Sequence, residues 1–169
     1  MANEEEQYRH YTDSVVDDTT LNEVYLYPFE RAMRAGVWAL MTGNNAVNGR
    51  HMGENRALVN DTVRSRMAWD GVVLTDWRSA YRVEESAPAG IDMTLGLSDY
   101  VYGRGMENFV TSGAYTEREL NEHVRRVLRL YTRVGLLDDR PRSGGLAPHR
   151  RARAGGACDS RCGHGAAEE

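Results

Sequence analysis

The sequence predicts an α/β fold built on parallel strands. Three apolar runs carry that expectation: Val37-Trp-Ala-Leu-Met-Thr42, Gly71-Val-Val-Leu-Thr75 and Ile91-Asp-Met-Thr-Leu95. Continuous rather than alternating hydrophobicity suits strands covered on both faces, as βαβ units require. Helix-like patterns separate the runs. The composition allows one core, with 169 residues, 41% hydrophobic and 27% charged, which is ordinary for a globular domain.

The elements follow in order. Thr20 with Glu23 forms a capping-box pattern ahead of Leu21, Val24, Tyr25, Phe29, Ala32 and Met33, and Gly36 is placed to stop that helix. Pro28 lies inside it and predicts a kink or break. The apolar run 37–42 reads as a buried parallel strand, and the polar Gly-Asn-Asn-Ala-Val-Asn-Gly-Arg-His-Met-Gly-Glu-Asn after it as a long loop. Leu58, Val63 and Met67 mark a helix, 72–75 a second buried strand, about 79–88 a helix, and 91–95 a third strand. Thr116 with Glu119 opens a long helix lined by Leu120, Val124, Val127, Leu128, Tyr131 and Val134, which Gly135 closes. This alternation fits either a doubly wound sheet or part of a (β/α)8 barrel. A whole barrel needs roughly 200–250 residues.

Residues 141–169 break the pattern. Gly, Ala and Arg fill 17 of those 29 positions, with no aromatic residue and Leu146 as the one large aliphatic side chain. Such a segment cannot bury enough apolar surface to offset its ordering entropy. We therefore expect a folded body, 1–140, and a disordered tail, 141–169. Cys158, Cys162 and His164 lie in that tail. Three potential ligands with no second cluster fall short of a zinc signature, so no metal site is expected.

Several function classes drop out. All 21 basic residues are Arg, which excludes a lysine Schiff base, a P-loop lysine and a Ser–Lys dyad. The net charge of −4 and pI near 5.8 argue against nucleic acid as a partner. No apolar run approaches the ~18–20 residues of a membrane span, and the acidic start Met-Ala-Asn-Glu-Glu-Glu-Gln is no signal peptide, so a cytoplasmic location is the default expectation. No G-x-G-x-x-G follows a strand, and no Gly-rich phosphate loop precedes a helix, so no dinucleotide or other cofactor is expected.

In parallel α/β sheets the chemistry gathers where strand C-termini feed their loops. Two places qualify: Met41-Thr-Gly-Asn-Asn-Ala-Val-Asn-Gly49 and Thr75-Asp76-Trp77. A carboxylate leaving a buried strand beside an indole can act as nucleophile or base, with the ring as platform for a sugar. The plainer alternative is that Asp76 caps the following helix.

The wording of six segments resembles the barrel domain of glycoside hydrolase family 3, the β-glucosidases and their relatives. Ala2-Asn3 through Glu6 to Arg9 is similar to the family's Asn-x-Gln-Glu segment and its following arginine. Asp17-Asp-Thr-Thr-Leu-Asn-Glu-Val-Tyr-Leu-Tyr-Pro-Phe-Glu30 resembles its Asp-Arg/Lys-Thr-Leu-x-Glu-x-Tyr-Leu-x-Pro-Phe, and Met41 to Gly49 its Met-x-x-Tyr-Asn-x-Val-Asn-Gly. Gly71 to Trp77 resembles Gly-x-Val-x-Ser-Asp-Trp, and Ala89-Gly-Ile-Asp-Met93 the Ala-Gly-x-Asp-Met after it. Arg129 to Asp138 reads like the helix that ends the barrel. The likeness covers nearly all of 1–140, as the C-terminal part of the barrel, and none of the tail.

The resemblance implies a partial (β/α)8 barrel and retaining hydrolysis of β-glucosides, with Asp76 as nucleophile. It implies Trp77, Met41, Asn44 and Arg9 as sugar-subsite residues and a carbohydrate as the bound partner. Asn44 stands where the family has Tyr, the family's Lys-His pair would precede Met1, and the acid/base Glu belongs to a later domain. Glu84 and Glu85 are the nearest downstream acids, but they fall in a helical stretch. The chain therefore reads as a piece with little activity alone, prone to self-association or to pairing with the missing barrel and C-terminal domains. The alternative is a non-catalytic remnant or carbohydrate-binding piece.

Overall fold

The computed structural model describes residues 1–96 and 101–137. The tail, with Cys158, Cys162 and His164, lies outside the described residues, as does Asp138. In chain order the elements are β1 Asp13–Ser14, α1 Asp18–Thr20, a π-helical segment Leu21–Leu26, α2 Tyr27–Arg34, β2 Ala39–Met41, β3 Ala46–Val47 and β4 Arg50–His51. A 3-10 turn Met52–Glu54 and a π-helical segment Ala57–Arg66 lead to β5 Val72–Trp77, α3 Val83–Ser86, β6 Met93–Leu95, α4 Arg104–Thr111 and α5 Glu117–Arg133. No helix among the described residues is long and apolar enough to cross a membrane.

The three expected strands form one parallel sheet in the order β2-β5-β6, with Ala39 beside Val72 and Leu74 beside Met93. A closed barrel has eight such strands; the described residues supply three. The stretch read as one long loop instead holds β3 and β4, which pair antiparallel with each other while β1 joins β3 in parallel. Two-residue strands are too short to leave a periodicity signal.

Several helix details depart from expectation. Asp17, not Thr20, caps the first helix: its carboxylate accepts the Thr20 N–H at 2.9 Å. Helical structure then runs from Asp18 to Arg34 without a break. Pro28 lies where the π-helical segment passes into α2, and its missing N–H forfeits one intrahelical hydrogen bond without ending the helix. Gly36 does stop the helix. Its φ of +88°, with Val37 N–H on Ala32 O and Gly36 N–H on Met33 O, makes a Schellman motif. The helix expected over 79–88 shrinks to α3. The Thr116–Glu119 capping box on α5 is complete in both directions.

Burial separates strands that look alike in sequence. Val72, Val73 and Thr75 of β5 are buried, and Val73 packs with Val59 and Ile91; each large aliphatic so enclosed is worth about 1.5–3 kcal/mol. β2, expected to be buried, is only half-covered and Met41 is exposed. The reason is position: among the described residues β2 pairs on one side only. Val124, Leu128 and Val134 on the expected core stripe of α5 are likewise exposed, and His123 is its buried residue.

Candidate active site

Asp76 is the penultimate residue of β5. Leu74 pairs with Met93 but Trp77 pairs with Leu95, so β5 carries one extra residue between them. Such a bulge re-aims side chains at a strand end. Thr75 is fully buried, and its Oγ1 accepts the Leu95 N–H at 3.0 Å. On the other side the Asp76 N–H donates to Thr42 O at 3.1 Å. The backbone around Asp76 is thereby held from both neighbouring strand ends.

The carboxylate has two neutral donors. Asn44 Nδ2 reaches Oδ2 at 2.8 Å, and the Trp77 N–H reaches Oδ1 at 2.6 Å. A carboxylate only accepts, so Asn44 must present its NH2 there. No ion pair involves Asp76 among the described residues, and the group is partly open to solvent. The cap alternative fails: α3 follows Arg82 and has no side-chain cap.

Behind Asp76 lies a polar lining that faces inward. Asn44 is 0% exposed. Its Oδ1, with Thr42 Oγ1, Asn3 Oδ1 and Asn45 Oδ1, is buried without a hydrogen-bond partner among the described residues. Asn45 Nδ2 donates to Ala2 O at 2.7 Å and Ala46 O at 3.0 Å, fastening the N-terminal segment to the β2 loop. A Cβ on Gly53 would sit 2.2 Å from Ser79 O, so only glycine lets the two loops meet. Buried Glu54 accepts the N–H groups of Tyr81 (3.2 Å) and Arg82 (2.7 Å). The Asn-rich wording of the loop hinted at Asn45; nothing in the sequence marked Glu54.

The other expected site residues scatter more. Met41 and Trp77 are 55% and 61% exposed at adjoining strand ends. Arg9 pairs with Glu6 at 3.3 Å and is hydrogen-bonded to neither Asp76 nor Asn44. Glu85 faces Arg50 and Arg82, each at 3.5 Å. Among the described residues no group of three His, Cys, Asp or Glu side chains could hold a metal ion. A cleft of about 640 Å³ between Leu26–Arg34 and Arg66–Trp69 shares no residue with the Asp76 surroundings.

Sequence reasoning missed a second carboxylate centre. Asp92, just before β6, is buried and accepts Val73 N–H (2.8 Å), Arg64 Nη2 (2.5 Å), His123 Nδ1 (2.9 Å) and Arg126 Nε (2.7 Å). Burial pushes its pKa up, but the His123 hydrogen bond, the two guanidinium charges and the Val73 amide outweigh that and leave it below the usual value. Burial likewise pushes the Tyr115 phenol up to about 12. The Asp92 carboxylate can only accept, so His123 Nδ1 carries the hydrogen that faces it, and Tyr115 Oη meets the other ring nitrogen, Nε2, at 2.7 Å.

Residues 4–130 match the model of the glycosyl hydrolase family 3 N-terminal domain. The chain belongs to glycosyl hydrolase family 3. The matched domain is the family's N-terminal one, which corrects the expectation that the chain is the C-terminal part of the barrel. A probable β-glucosidase I of Aspergillus flavus is 35% identical over 131 residues, covering 77% of this chain and 16% of that protein. A β-glucosidase of Chaetomella raphigera superposes with a TM-score of 0.73 at 29% identity, over 79% of this chain and 19% of that one. β-Glucosidase 3B of Thermotoga neapolitana, solved in complex with glucose, gives 0.69 at 28% identity, over 78% and 19%. This family 3 chain thus spans about a sixth to a fifth of the length of these relatives.

Proposed function

We propose that the chain carries the nucleophile half of a retaining β-glucoside hydrolase, with Asp76 as that nucleophile. The observation that carries the reading is a half-exposed carboxylate at the C-terminal end of the central strand, oriented by two neutral donors and paired with no cation among the described residues. An Asp76 oxygen attacks the anomeric carbon, the glycosidic C–O bond breaks, and water later releases the sugar with net retention. Asn44 holds the attacking carboxylate. Trp77 and Met41 offer apolar faces to the sugar, and Arg9 serves only if it leaves Glu6.

In this reading the described strands belong to the family's N-terminal domain as a partial (β/α)8 arrangement. Retention requires a second carboxyl about 5 Å away to protonate the leaving oxygen. Neither Glu84 nor Glu85 is offered for that role, since α3 turns Glu85 toward Arg50 and Arg82. Turnover by this chain alone is accordingly poor, because loss of acid–base help costs ~10²–10⁴-fold. Activated aryl leaving groups suffer least.

The test is trapping with a 2-deoxy-2-fluoro dinitrophenyl β-glucoside. A fluoroglucosyl ester on the peptide containing Asp76, absent from Asp76→Asn, is the expected result. Label elsewhere, or none while the chain still binds glucose, would favour the non-catalytic carbohydrate-binding alternative.

A further inference from the structure

A second cleft, of about 280 Å³, is lined by His10, Tyr11, His51, Arg78 and Tyr81. Its walls come from the three chain segments that build the Asp76 surroundings. His10 follows Arg9, His51 ends β4 seven residues after Asn44, and Arg78 and Tyr81 lie in the segment that leaves β5 after Asp76 and Trp77. The volume is just below the ~300–1,000 Å³ typical of small-molecule sites. That is room for one ring with a substituent.

The chemistry of the walls is one-sided. Two phenols and two imidazoles give flat apolar faces with polar edges; the His51 and Tyr81 rings lie 4.7 Å apart at 54°. Among the described residues no carboxylate lines the cleft and Arg78 makes no ion pair. Arg78 also holds a φ of +60°, a region a long side chain rarely adopts and one that clusters at functional sites. The buried Nδ1 of His51 has no hydrogen-bond partner among the described residues, and Tyr81 Oη meets His10 Nδ1 only at 3.5 Å. The polar edges of two phenols and two imidazoles thus surround the Arg78 guanidinium.

We propose that this cleft is a leaving-group site for an aromatic aglycone bearing a carboxylate, the ring lying against Tyr81 and His51 and the carboxylate on the Arg78 guanidinium. Its place in a reaction rests on Asp76 being the nucleophile; its binding chemistry does not. Arg supplies the planar fork that carboxylates prefer. The cleft then selects acidic aryl glucosides over neutral ones of the same shape.

The experiment titrates the full chain with free 4-hydroxybenzoate and with neutral 4-hydroxybenzamide, following binding by NMR. No turnover is read, so failure of Asp76 as nucleophile leaves this result intact, and the reverse also holds. The carboxylate is expected to bind about tenfold more tightly than the amide and to shift the Trp77 indole N–H resonance. Arg78→Gln should abolish the preference while leaving the amide's affinity, and Asp76→Asn should keep it. Equal affinities, no binding of either probe, a preference that survives Arg78→Gln, or an unmoved Trp77 signal would each overturn the proposal.

Discussion

Two aspartates flank the same strand pair and live in opposite environments. Asp92 is buried under four donors, two of them arginines, and ties β5 to α5 and to the 57–66 helix. Asp76 accepts from one amide side chain and one backbone N–H and keeps contact with solvent. A carboxylate whose lone pairs are spent on cations has little nucleophilicity to offer, whereas one held by neutral donors is aimed and still available. The difference separates an aspartate consumed by the frame from one whose carboxylate stays open to solvent, although both sit in equally distinctive wording.

Exchanging their roles should fail in measurably different ways. The largest effect is expected for Asp76→Asn, which should lower hydrolysis of dinitrophenyl β-glucoside by on the order of 10⁴-fold and leave the urea unfolding midpoint in place. Unchanged activity would remove Asp76 from the reaction. Asp92→Ala should instead lose about 3–5 kcal/mol in urea unfolding, because Arg64 and Arg126 are left buried without their counter-charge. A loss under 1 kcal/mol would make the network ornamental.

The same network predicts a pH dependence. Asp92's folded pKa is depressed, so its contribution is complete above the ordinary carboxylate value of ~4 and is lost as pH falls through the lower folded value. Stability measured from pH 5 downward should fall more steeply in the wild type than in Asp92→Ala. Asn44→Ala comes next. Removing one hydrogen bond to a charged group costs about 1.5–3 kcal/mol, so turnover of the activated glucoside should drop about 10–100-fold with near-wild-type folding. The smallest effect is Thr116→Ala, which breaks the α5 capping box for about 1 kcal/mol, read by thermal unfolding with no change in substrate preference.

The strand pattern, the stop at Gly36, the α5 capping box and Asp76 at a strand end were all legible in the residues. Each depends on near neighbours in the chain, where spacing carries the physics: a continuous apolar run, a Thr three residues before a Glu, a glycine that tolerates positive φ. The first helix was misread because Asp17 and Thr20 are both acceptable caps, and only the folded backbone shows which N–H is presented to which oxygen. The two short strands within 46–51 were invisible because two residues have no period.

What tertiary structure alone decided is whatever depends on residues far apart in sequence. Runs 37–42 and 71–75 look equally buried on paper, yet one is a half-covered edge and the other a packed centre, because burial is set by how many neighbours a strand acquires. Asp92 gained its meaning from Arg64, His123 and Arg126, which no local rule assembles around it. Asn44 reaches Asp76 across 32 positions, and Glu54 grips the Tyr81–Arg82 backbone across a similar span. The sequence determined which local elements form and where their polar ends lie; long-range packing determined which polar groups are consumed by each other and which remain to meet a ligand.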